Sequence, residues 1–416
     1  MRTICQGSRS PSNCSSAASI AHWATVSPPG AAYDYEHYQL SGIIFCMTII
    51  ARITKGNLPL FVGDILLSSK EHPRIPVSLP TTTGDVNQYF LQRATTYVAG
   101  VVQKVNILAD GLVVAWAGKE DQARILCQAL QIAFQGGVEP DRLAAIIRTE
   151  QFRYRDDVSL LGSVMFEKDG DTIFHNFGYR TQRAGVPHLR VDVGGNGALE
   201  FTTLLTSLAS TFSFGKGAAA GSDPERILGF GRLLVGTLMG NEHATGGGVA
   251  RGWGGGFELA LPMMTSERPK FEKQSIGLHV PFEVIEENGY PVLVAIYRFI
   301  KYSYEGERLV IRVLDLKADG YADLGVHLVS PLLAENPNLE ITREEMYNFD
   351  HTLLQCHIRE VKSGRAVQSV KFNPAGLDDV VIRRDGDGTI LEIKTSLLQR
   401  LSEQASTAFG YNIRIG

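Results

Sequence analysis

Cysteine is scarce, with five in 416 residues. Cys5, Cys14 and Cys46 precede Thr48, which leaves Cys127 and Cys356 for the rest of the chain. Two widely separated cysteines build no disulfide framework, and they suit a reducing, cytoplasmic compartment. Zinc chemistry also lacks its spacing. Cys356 neighbours His357, but no second ligand pair follows, and the ten histidines are scattered without a His-Glu-x-x-His. No metal and no cofactor are therefore expected. An excess of one charge sign is missing too. The net charge is -4, there is no arginine-rich arm, and no long charge block occurs, so no nucleic-acid partner is expected. Long hydrophobic runs are absent. Residues 42–51 are apolar but too short to span a bilayer, and they lack the basic flank and cleavage site of a signal peptide, so no membrane partner is expected.

Glycine-rich ligand loops are also incomplete. Gly215-Lys216-Gly217 lacks the upstream Gly and downstream Ser/Thr of a phosphate loop. Glycines 246–248 and 254–256 do not follow a strand and open a helix, as a dinucleotide site requires. Asp385-Gly386-Asp387-Gly388-Thr389 begins like a calcium loop but lacks the Gly at the sixth position. It reads as a hairpin turn between 380–383 and 390–393.

What is present is an ordinary globular composition, 44% hydrophobic and 20% charged, in a chain long enough for two domains. Residues 1–46 are rich in Ser, Pro and Ala, with Arg2, Arg9, Asp34 and Glu36 their only charges. Three readings stand for this segment: a propeptide, a disordered arm, or sequence upstream of a start at Met47. The segment 1–47 is set apart on that basis.

From Thr48 the pattern becomes regular. Strands are predicted over 48–53 and 58–67 around Lys55-Gly56-Asn57, and over 101–108 and 112–117 around Asp110-Gly111. Between these pairs, 68–99 is a long connection with a short helical pattern near 86–93. A helix is predicted over 120–134, apolar at Ala123, Leu126, Cys127, Leu130 and Ala133 and stopped by Gly136-Gly137, and a second begins after Pro140. Strands return over 159–166 and 171–177 around Lys168-Asp169-Gly170, and over 188–193. Helices follow from Gly197 to about 212 and over 224–239, then a strand over 257–261. The remainder, 270–416, is strand-rich, over 276–284, 291–302, 309–316 and 355–362, with a helical pattern near 396–406.

One constellation stands out. Thr48 directly follows Met47 at the start of an apolar strand. Asp64 lies 16 positions later at the end of the next strand, and Lys104 opens a further strand pattern that runs into Ala115-Trp116-Ala117-Gly118. Each residue has an ordinary structural explanation, since Thr suits strands, Asp after Gly ends them, and a strand Lys commonly faces water. Together, in this order of elements, they resemble the start of a proteasome β subunit or its HslV-type relative, within the N-terminal-nucleophile hydrolases. The resemblance covers about 48–264.

That resemblance implies an α+β fold, a four-layer αββα sandwich over 48–265, followed here by a strand-rich C-terminal domain over 270–416. It implies that Thr48 becomes the chain's first residue and attacks an amide or peptide carbonyl. Its own α-amine, which titrates near 7.7–8.0, serves as the base. Lys104 lowers the cost of the charged state, Asp64 holds Lys104, and the Gly118 N–H receives the oxyanion. A homo-oligomer is implied as well.

The sequence also departs from the family. Gly195-Asn196-Gly197 stands where the family carries Gly-Ser-Gly, so Asn196 replaces a hydroxyl near the nucleophile's amine, and an amide hydrogen-bonds but does not shuttle a proton. The Asp and Ser expected before the last strand are missing from 251–256. These departures keep a second reading open, a catalytically inactive, proteasome-like assembly or binding protein whose residues 270–416 contact a protein partner.

Overall fold

A computed structural model describes residues 21–22, 48–69, 77–82, 86, 97–135, 143, 145–146, 149, 157–211, 223–246, 248–264, 269–296, 298–316, 322–334, 342–385 and 388–416. The leader expected over 1–47 lies almost wholly outside the described residues, as do Gly136-Gly137, Lys216 and most of the helical pattern near 86–93.

Three antiparallel or mixed sheets carry the structure. The six-stranded sheet runs Gln182–Val186, Leu189–Gly194, Ile50–Lys55, Leu58–Asp64, Phe257–Met264 and Pro269–Lys273, antiparallel throughout. The four-stranded sheet runs Val105–Ala109, Leu112–Gly118, Val158–Lys168 and Asp171–Tyr179. The nine-stranded sheet is built mostly from the second half of the chain. Its centre is Gly277–Glu287, which pairs in parallel with Leu353–Glu360 and antiparallel with Arg298–Glu305. The turns follow local chemistry. Asp169 and Gly170 both take positive φ, 54° and 83°, as a two-residue hairpin of right-handed strands requires.

The first two sheets face one another through Ile50, Phe61, Ala260 and Phe271 on one side and Val105, Val113, Ala115 and Leu161 on the other. Helix α1 (Glu120–Phe134) covers the far side of the four-stranded sheet with Ala123, Leu126, Cys127 and Leu130. Helices α2 (Ala198–Thr211) and α3 (Asp223–Thr245) pack on the far side of the six-stranded sheet through Phe201, Leu205, Phe230 and Leu234. The nine-stranded sheet then closes over α3 with Ile300, Tyr302, Ile311 and Val313, and helix α4 (Thr395–Phe409) seals its other face with Leu397, Leu401, Ala405 and Phe409. Among the described residues no helix is long and apolar enough to cross a membrane.

The expected fold class, an α+β four-layer αββα sandwich followed by a strand-rich C-terminal domain, is not what the chain forms. The described residues are richer in strand than in helix, divided among several separate sheets that are antiparallel except where Gly277–Glu287 pairs with Leu353–Glu360 and Tyr290–Ala295 with Arg414–Ile415. The physical reason lies in α3. Its buried residues include Ile227, Phe230, Leu233, Leu234, Val235, Leu238 and Met239. They surround the helix rather than forming one stripe, and such a helix has to be buried on all sides. It lies between two sheets instead of forming an outer layer.

A polar seam lines the contact between α3 and the nine-stranded sheet. Two glycines one turn apart admit it. A Cβ on Gly236 would collide with Gln368 and Gln355, and one on Gly240 would collide with the His357 ring. Gln368 Nε2 donates to Gln355 Oε1 at 2.9 Å, and Gln355 Nε2 donates to the Ile276 carbonyl at 3.0 Å. His357 and His279 stand on the paired parallel strands with ring centroids 6.3 Å apart, and their nitrogens have no hydrogen-bond partner among the described residues. Burial holds both rings neutral, His357 down to about 4 and His279 well below its ordinary value.

The sign follows from linkage. A histidine whose pKa is depressed by folding binds its proton more readily when unfolded, so its contribution is complete above about pH 6.5 and is lost as the pH falls. For His357 the difference between about 4 and the ordinary histidine value of 6.5 corresponds to roughly 3 kcal/mol by pH 4. Urea unfolding of the wild type and His357→Leu across this range tests it. The wild type loses about that much more stability than the variant as the pH falls, apart from the change at His279, which His357 helps to hold low; a pH-independent difference contradicts the assignment.

Candidate functional site

Thr48 heads the strand Ile50–Lys55 and is 1% exposed. The turn between Leu189–Gly194 and α2 wraps it. Gly195 holds φ 91° there, and a Cβ on it would collide with the Thr48 carbonyl and sit 3.2 Å from Thr48 Oγ1. Only glycine allows that approach in that conformation. Asp64 ends the adjoining strand, and its N–H donates to the Ile49 carbonyl at 3.1 Å. Its Oδ2 accepts from the Gly254 N–H at 2.9 Å. Lys104 precedes the first strand of the four-stranded sheet, its Cβ 3.0 Å from a Cβ built on Gly63, and its ammonium lies 3.9 Å from the Trp116 ring centroid. The structure thus gathers Thr48, Asp64 and Lys104 at one buried end of the six-stranded sheet. Thr48 Oγ1 and Asp64 Oδ1 have no hydrogen-bond partner among the described residues.

Electrostatics at this end are set by desolvation. Burial raises the Asp64 carboxyl to about 7, against the opposing pull of the Lys104 charge and the Gly254 and Ile49 backbone. Glu242, near the C-terminus of α3, is raised by burial to about 8, although the Gly255 amide and Thr81 hydroxyl favour its charged form. Glu258 is raised by burial, and its partner Lys273 is lowered by burial, each opposed by the other's charge. Lys273 also reaches the Gln103 carboxamide oxygen.

The two other expected site residues sit differently. Gly118, with φ 106°, closes the strand Leu112–Gly118 opposite Val158. One position earlier Ala117 pairs with Ser159, whose Cβ is 3.1 Å from a Cβ built on Gly194. The strand end carrying Gly118 therefore lies beside the turn that wraps Thr48. Asn196 is exposed, and among the described residues no hydrogen bond joins its side chain to Thr48. No group of three or more metal-ligating side chains gathers among the described residues.

The buried carboxyls Glu242 and Glu258 are not among the residues that the sequence pattern singles out. Glu258 has a sequence signal, a single charge inside the apolar run Phe257-Glu258-Leu259-Ala260-Leu261, and a charge on a buried strand demands a partner. Glu242 has none, because a Glu near a helix end reads as solvated.

No protein-family model matches the chain, and no curated protein matches it.

The buried Lys273–Glu258 pair makes a direct prediction. Its atoms are 3.3 Å apart, with side-chain exposures of 10% and 0%. Lys273→Met leaves the buried Glu258 carboxylate without a charge partner and lowers stability by about 3–5 kcal/mol. The double variant Lys273→Met/Glu258→Gln regains most of it, read by urea unfolding at neutral pH. Equal losses in the single and double variants contradict an energetically coupled pair.

Proposed function

We propose that the chain is a threonine-type N-terminal-nucleophile hydrolase acting on an amide or peptide bond. One observation carries the reading. Thr48, Asp64 and Lys104, distant in sequence, converge at a buried strand end where Thr48 Oγ1 has no hydrogen-bond partner among the described residues. A buried hydroxyl left without a partner is costly, and such costs concentrate where chemistry needs the group.

In this reading, removal of residues 1–47 exposes the Thr48 amine, which takes the hydroxyl proton as Oγ1 attacks the carbonyl and later returns it to the leaving group. Lys104, charged beside Asp64, favours the anionic form of the attacking oxygen. The Gly118 N–H receives the oxyanion. Self-association, a cytoplasmic setting and a protein partner for 270–416 belong to the same proposal.

A second reading has its own support. Thr48 is 1% exposed and Lys104 is 0% exposed, so both fit a sealed structural end, and Asn196 is turned to solvent. An inactive assembly or binding protein keeps the same packing without the reaction.

N-terminal sequencing and probe labelling separate the two. The enzyme reading expects a mature chain beginning at Thr48 and covalent attachment of an electrophilic threonine-protease probe to that residue. Lys104→Met abolishes labelling while the fold survives, because Met keeps most of the stem volume at a packing cost under about 1.5 kcal/mol. A chain that stably retains residues 1–47, or one that begins at Thr48 and never labels, supports the scaffold reading.

A further inference from the structure

Asp64 and Glu242 hold successive amides of one glycine run. The Gly254 N–H donates to Asp64 Oδ2 at 2.9 Å, and the Gly255 N–H donates to Glu242 Oε1 at 2.5 Å. Gly254, Gly255 and Gly256 all have positive φ, 112°, 74° and 133°, so the run arches between the carboxyls in a conformation that side chains rarely adopt. A Cβ on Gly254 would sit 2.6 Å from either Glu242 oxygen. Glu242 therefore presses on the residue whose amide holds Asp64. Glu242 Oε1 also accepts from Thr81 Oγ1 at 2.8 Å. Thr81 belongs to a short strap, 77–82, whose Pro80 and Thr82 carbonyls each accept from Arg298 at 2.8 Å. Leu79 of the strap packs on the arch, 3.2 Å from a Cβ built on Gly255.

We infer that Glu242 is a positioning residue for Asp64. It fixes the glycine arch whose Gly254 amide fixes the Asp64 carboxylate, and it ties that arch through the strap to the C-terminal sheet. Its importance for catalysis rests on Thr48 being the nucleophile; its effect on Asp64 does not. The groups facing the two carboxyls come from several elements. Lys104, ahead of the four-stranded sheet, and Glu258, on the six-stranded sheet, act on Asp64, Tyr302 of the nine-stranded sheet faces Glu242, and the two carboxyls face each other.

The arch works in one direction. A hydrogen bond donated to a carboxylate favours its charged form, and the Gly254 amide does this for Asp64. Loosening the arch weakens that bond, so Asp64 keeps its proton to higher pH and supplies Lys104 with less negative charge at neutral pH.

The test compares Glu242→Leu, which removes the acceptor, with Glu242→Gln, which keeps an acceptor oxygen for Gly255 and Thr81. The first readout is the ¹³C titration of the Asp64 carboxyl in the full chain. Glu242→Leu moves it up by about one pH unit, while Glu242→Gln leaves it near the wild-type midpoint. The second is the probe-labelling rate of Thr48 in protein that begins there, which falls about tenfold or more in Glu242→Leu, the equivalent of one pKa unit, and is retained in Glu242→Gln. If Glu242→Leu fails to fold, Thr81→Val removes one of the two donors to Glu242 and gives a smaller shift of the same sign. An Asp64 titration that stays in place in Glu242→Leu, or in Thr81→Val where that variant replaces it, overturns the inference. So does one that moves equally in Glu242→Gln and Glu242→Leu. If wild-type Thr48 never labels, the nucleophile reading fails, and the ¹³C titration still decides the role of Glu242.

Discussion

The Glu258 carboxylate is where three sheets meet. It projects from the six-stranded sheet at 1% exposure. Its Oε2 accepts from the Lys104 and Val105 amides at 2.5 and 3.1 Å, where the chain enters the four-stranded sheet. Its Oε1 faces Lys273 at 3.3 Å and the Tyr304 hydroxyl of the nine-stranded sheet at 3.5 Å. A carboxylate this deep is tolerable only with its lone pairs filled, and one donor at the wrong distance turns it into a penalty. The relative placement of all three sheets is therefore constrained at one point. That point is the backbone of Lys104, so the geometry of the candidate site depends on it.

Gln103 extends the constraint. Its Nε2 donates to the Glu307 and Val329 carbonyls at 2.8 and 2.6 Å, and its own N–H donates to the Ser330 carbonyl at 3.1 Å. Its carbonyl accepts from the Trp116 indole at 3.1 Å. The residue beside Lys104 thus anchors the C-terminal half. Together with the strap held by Arg298 and Glu242, this joins the C-terminal sheet to the candidate site at two places. Strands of the 270–416 region share a hydrophobic cluster with the six-stranded sheet and α3.

Local elements were legible wherever a pattern carries its own physics. The helix predicted over 120–134 forms as α1 (Glu120–Phe134), because a single apolar stripe specifies both its extent and its face. The hairpin at Lys168-Asp169-Gly170 forms because few residues accept two positive φ values in succession. The pattern read as one strand over 291–302 is two, Tyr290–Ala295 and Arg298–Glu305, both pairing with Gly277–Glu287. The strands Gln182–Val186 and Ala322–Val329 carry no comparable pattern. Gln182–Val186 is an edge strand with an exposed face, and its weak alternation gives little signal.

The sequence by itself determined the short-range features, namely α1, the tight hairpins, and the order in which Thr48, Asp64 and Lys104 occur. Each follows from periodicity or turn chemistry confined to a few neighbouring residues. The layer order was decided only in three dimensions, because a helix apolar on every side, such as α3, does not encode which sheets will cover it. The same holds for the buried carboxyls. Glu242 is an ordinary residue in sequence, and the lone charge of Glu258 in an apolar run calls for a partner without saying which; the role of both follows from donors supplied by distant elements. Desolvation depends on what the whole chain places around a group, and no local pattern records that.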